Sequence, residues 1–386
     1  MRSLDEFATV KLGELERQAL RRVLVDTTRV TGIWVLRNGR RLLSFCCNDY
    51  LNLTHHPAVK EAAVQAIRTY GVGAGASRLV TGNHPLYGEL ESRLAQWKGT
   101  DAACVFGSGY LANLGIIPAL VGSEDLILID ELAHACLWGG SRLARATVVP
   151  YRHCDTDHVE ALLSEHRSRH PRALLITDGV FSMDGDIAPL HSLSALAQRH
   201  DAWLMSDDAH GLGVVGHGHG SNFAHGGRAD VPLQMGTLSK ALGGYGGYLC
   251  ASAPVIDLIR NRARSLIYST GLPPATVAAA IAALDVIEHD LAYAALPVAK
   301  AQAFARAAGL PEPESPIVPL VLGGAQAALD ASRLLEDQGF LVAAIRPPTV
   351  PEGTARLRLT FTAQHPDAEI ERLAEVVRER ILVPVT

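Results

Sequence analysis

Short apolar runs alternate with amphipathic segments along the middle of this chain. The apolar runs predict seven strands, at residues 102–106, 126–130, 147–151, 173–177, 202–206, 233–237 and 247–251. Turn residues or apolar positions at helical spacing follow these runs. Alternation of this kind is typical of a mostly parallel sheet with helices on both faces. We therefore predict an α/β fold whose large domain, residues 41–285, contains a mostly parallel seven-stranded sheet.

The pattern differs at the two ends of the chain. Residues 1–40 predict an N-terminal arm, and residues 286–386 predict a smaller C-terminal α+β domain. The elements predicted outside the sheet are a helix at 4–25, a hairpin around Asn38 and Gly39, a helix at 282–305 kinked by Pro297, strands at 317–322, 341–345 and 355–361, and helices at 325–338 and after Asp367.

Composition narrows the class of protein. The 386 residues are 48% hydrophobic and 19% charged, which suits a chain with a large buried core. A net charge of −5 provides no basic surface for nucleic acid, and no run of Lys and Arg indicates a membrane surface. The uncharged stretches 102–123 and 265–284 are too polar and broken for a lipid span. Asp5 and Glu6 stand where a signal peptide would be basic or apolar, so we predict a cytoplasmic protein.

Lys240 is the most informative single residue. It is the only charged side chain between Val231 and Ile256, in a chain with five lysines. A lysine kept from water can be a neutral amine, which is the form that makes a Schiff base with a carbonyl. The alternative is a surface lysine between two buried strands. Asp207 and His210, upstream in the sequence, favour the chemical interpretation.

These three residues meet the needs of pyridoxal phosphate (PLP). This cofactor draws electrons from a substrate carbon into its ring, whose nitrogen stays protonated when a carboxylate faces it. Asp207 is the candidate for the ring nitrogen, His210 for the ring oxygen and Lys240 for the aldehyde. Asp208 is interpreted as a turn residue, because Asp207 already closes the predicted strand.

Other candidate residues follow the predicted strands, where ligands bind in open α/β sheets. They are Ser108, Gly109, Tyr110, His134, Ser182 and Thr237. The segment around Ser108 and Gly109 joins a strand to a helix, whose N-terminal amides bind phosphate well. An ordinary strand–helix turn is the alternative there. His134 is a candidate to stack on the cofactor ring, and an ordinary buried histidine is its alternative.

Competing chemistries fit the sequence less well. Residues 71–76 match the dinucleotide fingerprint of an NAD-dependent dehydrogenase, but residues 57–70 have helical periodicity where that fingerprint needs a strand. No G-x-S-x-G motif of a hydrolase occurs. The six cysteines form no Cys-x-x-Cys pair, and a disulfide framework is not expected. The pairs at 134/136 and 153/154 match no common ligand spacing, so no metal site is predicted.

The motifs resemble those of the α-oxoamine synthases, a family of fold-type I PLP enzymes, over nearly the whole chain. The matching segments are 48–51 (Asn-Asp-Tyr-Leu), 81–87, 179–186, 207–211, 237–240 and 355–360. Asn52 departs from the family pattern, which usually has glycine there, and we expect a small effect on the substrate channel.

The resemblance implies a fold-type I PLP-dependent transferase that forms a homodimer with shared active sites. It implies that Lys240 binds PLP and acts as the base, His134 stacks on the ring, Asp207 pairs with the ring nitrogen, His210 and Ser182 reach the ring oxygen, and Ser108, Gly109, Tyr110 and Thr237 hold the phosphate. Ser269 or Thr270 of the partner subunit would contribute to the same site. Arg358 would clamp the carboxylate of the amino acid, and Arg21 and Arg346 are candidates for the far end of the acyl substrate or its carrier.

Residues 344–351 resemble the branch of the family that acts in biotin synthesis. The implied reaction condenses L-alanine with pimeloyl-CoA or pimeloyl-acyl carrier protein and releases CO2 and free thiol. The alternative is another α-oxoamine synthase, of the kind that joins glycine to an acetyl group and forms 2-amino-3-ketobutyrate.

Overall fold

The computed structural model describes residues 2–382. Its helices are α1 (Arg2–Arg17), α2 (Pro57–Tyr70), α3 (Leu86–Lys98), α4 (Gly109–Leu120), α5 (Ala135–Ala144), α6 (Thr156–His166), α7 (Leu190–Arg199), α8 (Ala253–Arg262), α9 (Arg264–Ile267), α10 (Pro274–His289), α11 (Leu291–Ala308), α12 (Ala325–Asp337) and α13 (Asp367–Arg380). Its strands are β1 (Thr27–Thr31), β2 (Trp34–Arg37), β3 (Arg40–Ser44), β4 (Ala102–Phe106), β5 (Leu126–Asp130), β6 (Thr147–Tyr151), β7 (Ala173–Asp178), β8 (Trp203–Asp207), β9 (Leu233–Thr237), β10 (Gly247–Ala251), β11 (Ile317–Gly323), β12 (Phe340–Leu341), β13 (Ala343–Ile345) and β14 (Ala355–Thr360).

The chain divides into two compact units. One is Asp49–Val298, and the other joins Met1–Asn48 to Ala299–Thr386. This division differs from the predicted segments 1–40, 41–285 and 286–386. The physical reason is that β3, near the N-terminus, pairs with β12 from the C-terminal part, so the arm belongs to the same unit as that part.

The unit Asp49–Val298 contains the predicted seven-stranded sheet, in the order β4-β10-β9-β8-β7-β5-β6. Strand β10 is antiparallel to β4 and β9, and the other neighbours are parallel. All seven predicted strands are present, each within one residue of its expected bounds. The long apolar runs arise because helices cover both faces of the sheet, so a strand buries side chains on both sides.

The two faces of this sheet have separate hydrophobic cores. Ile127 and Ile129 of β5 belong to one core cluster, and Leu126 and Leu128 of the same strand belong to the other. Successive side chains of a strand point to opposite faces, so one strand supplies both clusters. The parallel strands of this sheet all end at the same edge.

The other unit has two smaller sheets, in the orders β1-β2-β3-β12 and β11-β14-β13. The predicted hairpin around Asn38 and Gly39 is present as β2 and β3. The core of this unit includes four buried phenylalanines, Phe45, Phe304, Phe340 and Phe361. Among residues 2–382, no helix combines the length and apolar character needed to span a bilayer.

Three predicted elements differ from the structure. The helix predicted at 4–25 ends at Arg17, and Ala19 has a positive φ of 55° that helical backbone does not adopt. The helix predicted at 282–305 is two helices, α10 and α11, because Asp290 leaves the helical conformation and its side chain accepts the Tyr293 N–H at 2.9 Å. The strand predicted at 341–345 is divided between β12 and β13, which pair in different sheets.

Candidate active site

The carboxyl ends of the parallel strands bring most of the predicted site residues to one edge of the large sheet. His134 follows β5, Asp207 closes β8, and Lys240 lies three residues beyond β9. Ser108 follows β4, the neighbour of antiparallel β10, and precedes α4. The sheet topology thus places these residues at loops on the edge where an open α/β sheet binds its ligand.

Asp207 is buried and receives hydrogen bonds from neutral donors. Asn113 Nδ2 donates to Asp207 Oδ2 at 2.7 Å, and the Ala209 N–H donates to Oδ1 at 3.0 Å. A carboxylate can accept about four hydrogen bonds, so Asp207 retains capacity for a further donor such as a protonated ring nitrogen. Asn113 was not among the predicted site residues. Its signal was present in the sequence as an amide within an otherwise apolar helix.

A second buried carboxyl lies beside Asp207. Asp178 at the end of β7 pairs with Asp207 in the strand register, and its Oδ2 accepts the His134 N–H at 2.8 Å. Burial, together with the negative charge of Asp207, raises the pKa of Asp178 well above its ordinary value. Asp178 therefore holds its proton more tightly than an ordinary carboxyl does, and its Oδ2 fixes the backbone of His134.

His134 caps the N-terminus of α5 and carries a neutral ring. Its Nδ1 accepts the Cys136 N–H at 3.3 Å and lies 2.8 Å from Cys136 Sγ. Burial lowers the pKa of His134; the negative charge of Asp207 opposes this change, and the positive charge of Lys240 adds to it. Burial also raises the pKa of the Cys136 thiol to about 12, so the sulfur keeps its proton. A neutral, flat imidazole held in this way suits stacking on a cofactor ring.

His210 is held by a residue that sequence reasoning did not single out. The hydroxyl of Tyr50 lies 2.7 Å from His210 Nδ1, and both side chains are buried. Tyr50 belongs to the Asn-Asp-Tyr-Leu motif at residues 48–51. Because the contact engages Nδ1, Nε2 is the ring nitrogen of His210 that faces away from Tyr50.

The segment between β4 and α4 forms a cradle for an anion. Ser108 caps α4, with its side chain accepting the Leu111 N–H at 3.2 Å. A Cβ added to Gly109 would lie 3.5 Å from Thr237 Oγ1, and one added to Gly247 would lie 2.6 Å from Gly109 N. The close approach therefore requires glycine at position 247, and Thr237 lies beside the helix N-terminus, where backbone amides favour a phosphate.

The remaining candidates of this unit differ in their burial. Lys240 is half-buried, in a turn in which its carbonyl accepts the Gly243 N–H at 2.9 Å. Ser182 is half-buried in a tight hairpin after β7. Tyr110 is 52% exposed. The donor set of Asp207, His134, Ser108, Gly109 and Thr237 fits PLP, with a carboxylate for the ring nitrogen and a cradle for the phosphate.

Asp208 has a larger role than the predicted turn residue. It does begin a turn, since the Gly211 N–H donates to its carbonyl at 3.1 Å. Its side chain, however, is fully buried and pairs with Lys98 Nζ at 2.7 Å, and Lys98 is fully buried too. The Ser221 N–H donates to the other oxygen at 2.9 Å. Spacing along the chain contains no signal for this ion pair, because Lys98 lies on α3, 110 residues away.

The three predicted arginines all lie in the unit Met1–Asn48 with Ala299–Thr386. Arg358 on β14 is 6% exposed and donates to Asn48 Oδ1 at 3.1 Å. Arg346 donates to the carbonyl of Ala19. Arg21 is exposed and pairs with Glu16. Arg358 is the most buried of the three arginines.

Asn52, the departure from the family pattern, has left-handed backbone angles of φ 55° and ψ 28°. Glycine adopts this region at no steric cost, and asparagine is one of the few other residues found there regularly. The backbone thus accounts for both the usual glycine and this substitution. The expected effect on the substrate channel stays a prediction.

The fold and this edge of the sheet define a fold-type I PLP enzyme. The family model described as aminotransferase class I and II matches residues 40–377, and the chain belongs to that family. The match confirms the predicted fold class and the predicted cofactor.

Two curated relatives at high sequence identity carry the same name. The 8-amino-7-oxononanoate synthase of Beijerinckia indica subsp. indica is 61% identical over 377 residues, 98% of each chain. That of Methylocella silvestris is 67% identical over 345 residues, 89% of this chain and 98% of the relative. These relatives confirm the resemblance inferred from the motifs.

Solved structures with the same fold include a palmitoyltransferase and a synthase. Serine palmitoyltransferase from S. paucimobilis with bound PLP superposes with a TM-score of 0.90, at 28% identity over 97% of both chains. An 8-amino-7-oxononanoate synthase from Francisella tularensis superposes with a TM-score of 0.75, at 26% identity over 87% of this chain and 97% of the other.

Proposed function

We propose that this chain catalyses the condensation of L-alanine with a pimeloyl thioester, giving 8-amino-7-oxononanoate, CO2 and free thiol. The relatives at 61% and 67% identity are named for that product. The observation that carries the chemistry is Asp207, buried beside PLP-compatible groups and hydrogen-bonded at 2.7 Å by the neutral amide of Asn113. We infer that the substrates are an amino acid, which the Asp207 site suits, and an acyl donor, which the names of the relatives suggest.

PLP, when bound, supplies an electron sink that stabilises negative charge on the α-carbon of the amino acid. Lys240 would hold the cofactor and then take the α-proton on Nζ. Asp207 would face the ring nitrogen with its negative charge, and His134 would pack flat against the ring. His210, Ser182 and Thr237 would donate hydrogen bonds to the ring oxygen or the phosphate. Ser108, Gly109 and Tyr110 would complete the phosphate site.

Substrate recognition would use the arginines. Arg358 would bind the carboxylate of alanine, because a buried guanidinium presents a planar pair of donors that lysine lacks. Arg21 and Arg346 would contact the pimeloyl carboxylate or the carrier. The cytoplasmic location stays a prediction.

We also propose a homodimer with shared active sites. Val72, Val80 and Tyr268 are 78%, 74% and 71% exposed, which is unusual for large apolar side chains. A β-bridge joins Ser77 to Thr270, so the segments that carry these residues run side by side. Ser269 or Thr270 of the partner subunit would then reach the site. Sedimentation should give twice the chain mass, and Val80→Asp should weaken the association.

Thiol release tests the reaction. The purified protein with PLP is assayed with alanine, glycine or serine against pimeloyl-CoA, pimeloyl-acyl carrier protein, acetyl-CoA and a long-chain acyl-CoA. We expect release with alanine and a pimeloyl donor, and the preferred donor identifies the carrier. Release with glycine and acetyl-CoA alone would instead identify the ketobutyrate-forming branch.

Lys240→Ala tests the role of the lysine. We expect no detectable turnover, because the variant has no amine to hold the cofactor or to take the α-proton. Lys60→Ala is the matched control, since Lys60 is an exposed lysine on α2 of the same unit. Turnover retained in Lys240→Ala would contradict the assignment.

A further inference from the structure

His153 lies between two carboxylates just after β6. Its Nδ1 is 3.1 Å from Asp130 Oδ1, and its Nε2 is 2.9 Å from Asp186 Oδ2. Asp130 is fully buried, and the side chain of His153 is only 25% exposed. Nothing in the proposed reaction requires this histidine. Its two partners, however, lie on the segments that carry His134 and Ser182.

Both ring nitrogens face carboxylate oxygens, and the ring can donate to both only as an imidazolium. Burial lowers the pKa of His153, but the hydrogen bonds to Asp130 and Asp186 outweigh burial and raise it to about 12. The other titratable groups beside it are Cys154 and Glu131, whose carboxylate accepts the His153 backbone N–H at 3.1 Å. The bridge is therefore a pair of charge-assisted hydrogen bonds, which are stronger than neutral ones.

On one side, the bridge reaches the turn that leads to His134. Asp130 Oδ1 also accepts the Leu132 N–H at 2.9 Å, and Oδ2 accepts the Cys154 N–H at 2.9 Å. The Ala133 N–H donates to the Asp130 carbonyl at 3.0 Å. Asp130 thus organises the backbone between the end of β5 and His134.

On the other side, the bridge reaches the hairpin of residues 180–187, which carries Ser182. The Phe181 N–H donates to the Asp186 carbonyl at 3.0 Å, so the hairpin is closed upon itself. The His153 ring also packs edge-on against the ring of Phe181, with centroids 4.4 Å apart and an interplanar angle of 89°. His153 therefore contacts the hairpin at both Phe181 and Asp186.

We propose that His153 is a positioning residue for the cofactor site. By bridging Asp130 and Asp186, it holds the segment that ends in His134 and the hairpin that carries Ser182 in one arrangement. This inference rests on the proposed roles of His134 and Ser182 toward PLP, and it adds a third residue, with no contact to substrate, on which both depend.

A metal ion is the competing use of this cluster. The ligand atoms of Asp130, His153 and Cys154 lie within 4.8 Å of one another. Both nitrogens of the ring are already engaged by carboxylate oxygens, however, and Asp130 accepts two backbone N–H groups. The hydrogen bonds account for the geometry without a metal.

The first test replaces the histidine and measures cofactor binding. Apoprotein of His153→Gln is titrated with PLP and followed by absorbance, and the matched control is His170→Gln. His170 is a half-buried histidine of the same unit whose ring Nδ1 lies 2.9 Å from the Glu124 carbonyl, and it precedes the amino end of β7, away from the site. We expect the Kd for PLP to rise about tenfold in His153→Gln, with an altered absorption spectrum of the bound cofactor. The control should match the wild type.

The second test separates positioning from general stability. Asp186→Asn keeps the size of the side chain and removes its charge, and it provides a milder variant if His153→Gln does not fold. The two single changes and their combination form a double-mutant cycle for PLP affinity. Positioning predicts that the second change costs little once the first is made. A lowered melting temperature with unchanged PLP affinity and spectrum in both variants would overturn the proposal.

Two further outcomes have distinct meanings. Loss of PLP affinity in the wild type after chelation, with recovery on adding Zn2+, would establish a metal site and overturn the bridge. A wild type that binds PLP but releases no thiol from alanine and a pimeloyl donor would contradict the proposed function alone. Cofactor affinity in the His153 variants would still test the bridge in that case.

Discussion

Asp207 and Asp208 are neighbours in sequence and differ in the charge of the groups that donate hydrogen bonds to them. Both side chains are buried. Asp208 meets the ammonium of Lys98 at 2.7 Å, and the Lys98 ammonium also donates to the His219 carbonyl at 2.6 Å. Within the described residues 2–382, the donors at hydrogen-bond distance from Asp207 are both neutral, the side-chain amide of Asn113 and the backbone N–H of Ala209.

The difference shows how the fold separates a charge that is neutralised within the chain from one that we propose acts on the cofactor. The charge of Asp208 is neutralised by a fixed lysine of the chain itself, which leaves it little attraction for an external cation. The charge of Asp207 is solvated by dipoles and available to a protonated ring. A buried carboxylate with neutral donors is expensive unless a ligand supplies the positive charge, so the contrast itself indicates a cofactor site.

Replacing Asp207 should have the largest effect on catalysis. We expect Asp207→Asn to slow removal of the alanine α-proton at least about a hundredfold, because the amide cannot hold the ring nitrogen protonated. Bound PLP should remain, since the other contacts persist. Exchange of the α-proton in D2O, followed by NMR without acyl donor, measures this step directly. Exchange of the α-proton at the wild-type rate in Asp207→Asn would contradict the proposed role of Asp207 at the ring nitrogen.

Breaking the neighbouring ion pair should affect stability instead. Lys98→Met leaves the charge of Asp208 buried and unpaired, and we expect a loss of about 3–5 kcal/mol in the free energy of unfolding. Urea unfolding of the apoprotein measures it. Adding Asp208→Asn removes the stranded charge and keeps an acceptor for the Ser221 N–H, so the double variant should regain part of the loss. A double variant no more stable than Lys98→Met would argue against a charge effect.

The smallest effect is expected at Asp178, whose pKa burial and Asp207 raise. A carboxyl with a raised pKa in the folded state binds its proton more tightly there than in the unfolded chain. Stability is therefore lost as the pH rises above about 4, the ordinary value, through the raised pKa. Asp178→Asn abolishes this titration while keeping an acceptor for the His134 N–H. Its stability relative to the wild type should increase between pH 5 and pH 8, and a constant difference would count against the raised pKa.

The local pattern of apolar and polar residues was sufficient to predict most strands and helices of the fold. The seven strands of the large sheet were predicted within one residue, because strands buried on both faces read as continuous apolar runs bounded by turns. The helix predicted at 57–70 has the same bounds as α2, with Pro57 in its first turn and Gly71 after its end. Predictions failed where the bounds of a strand depend on the strands with which it pairs. The strand predicted at 341–345 is an example, because the structure divides it between two sheets.

The sequence by itself determined the order of strands and helices, the edge at which the candidate residues gather, and the family to which the chain belongs. These follow from local periodicity and from motifs within a few residues of each other. Only the tertiary structure decided which buried polar groups become partners. It brings Lys98 to Asp208, Asn113 to Asp207, Tyr50 to His210 and Asp186 to His153. Such contacts join residues that lie far apart along the chain. Their energies depend on burial and on distances of a few ångströms, which spacing in the sequence does not contain.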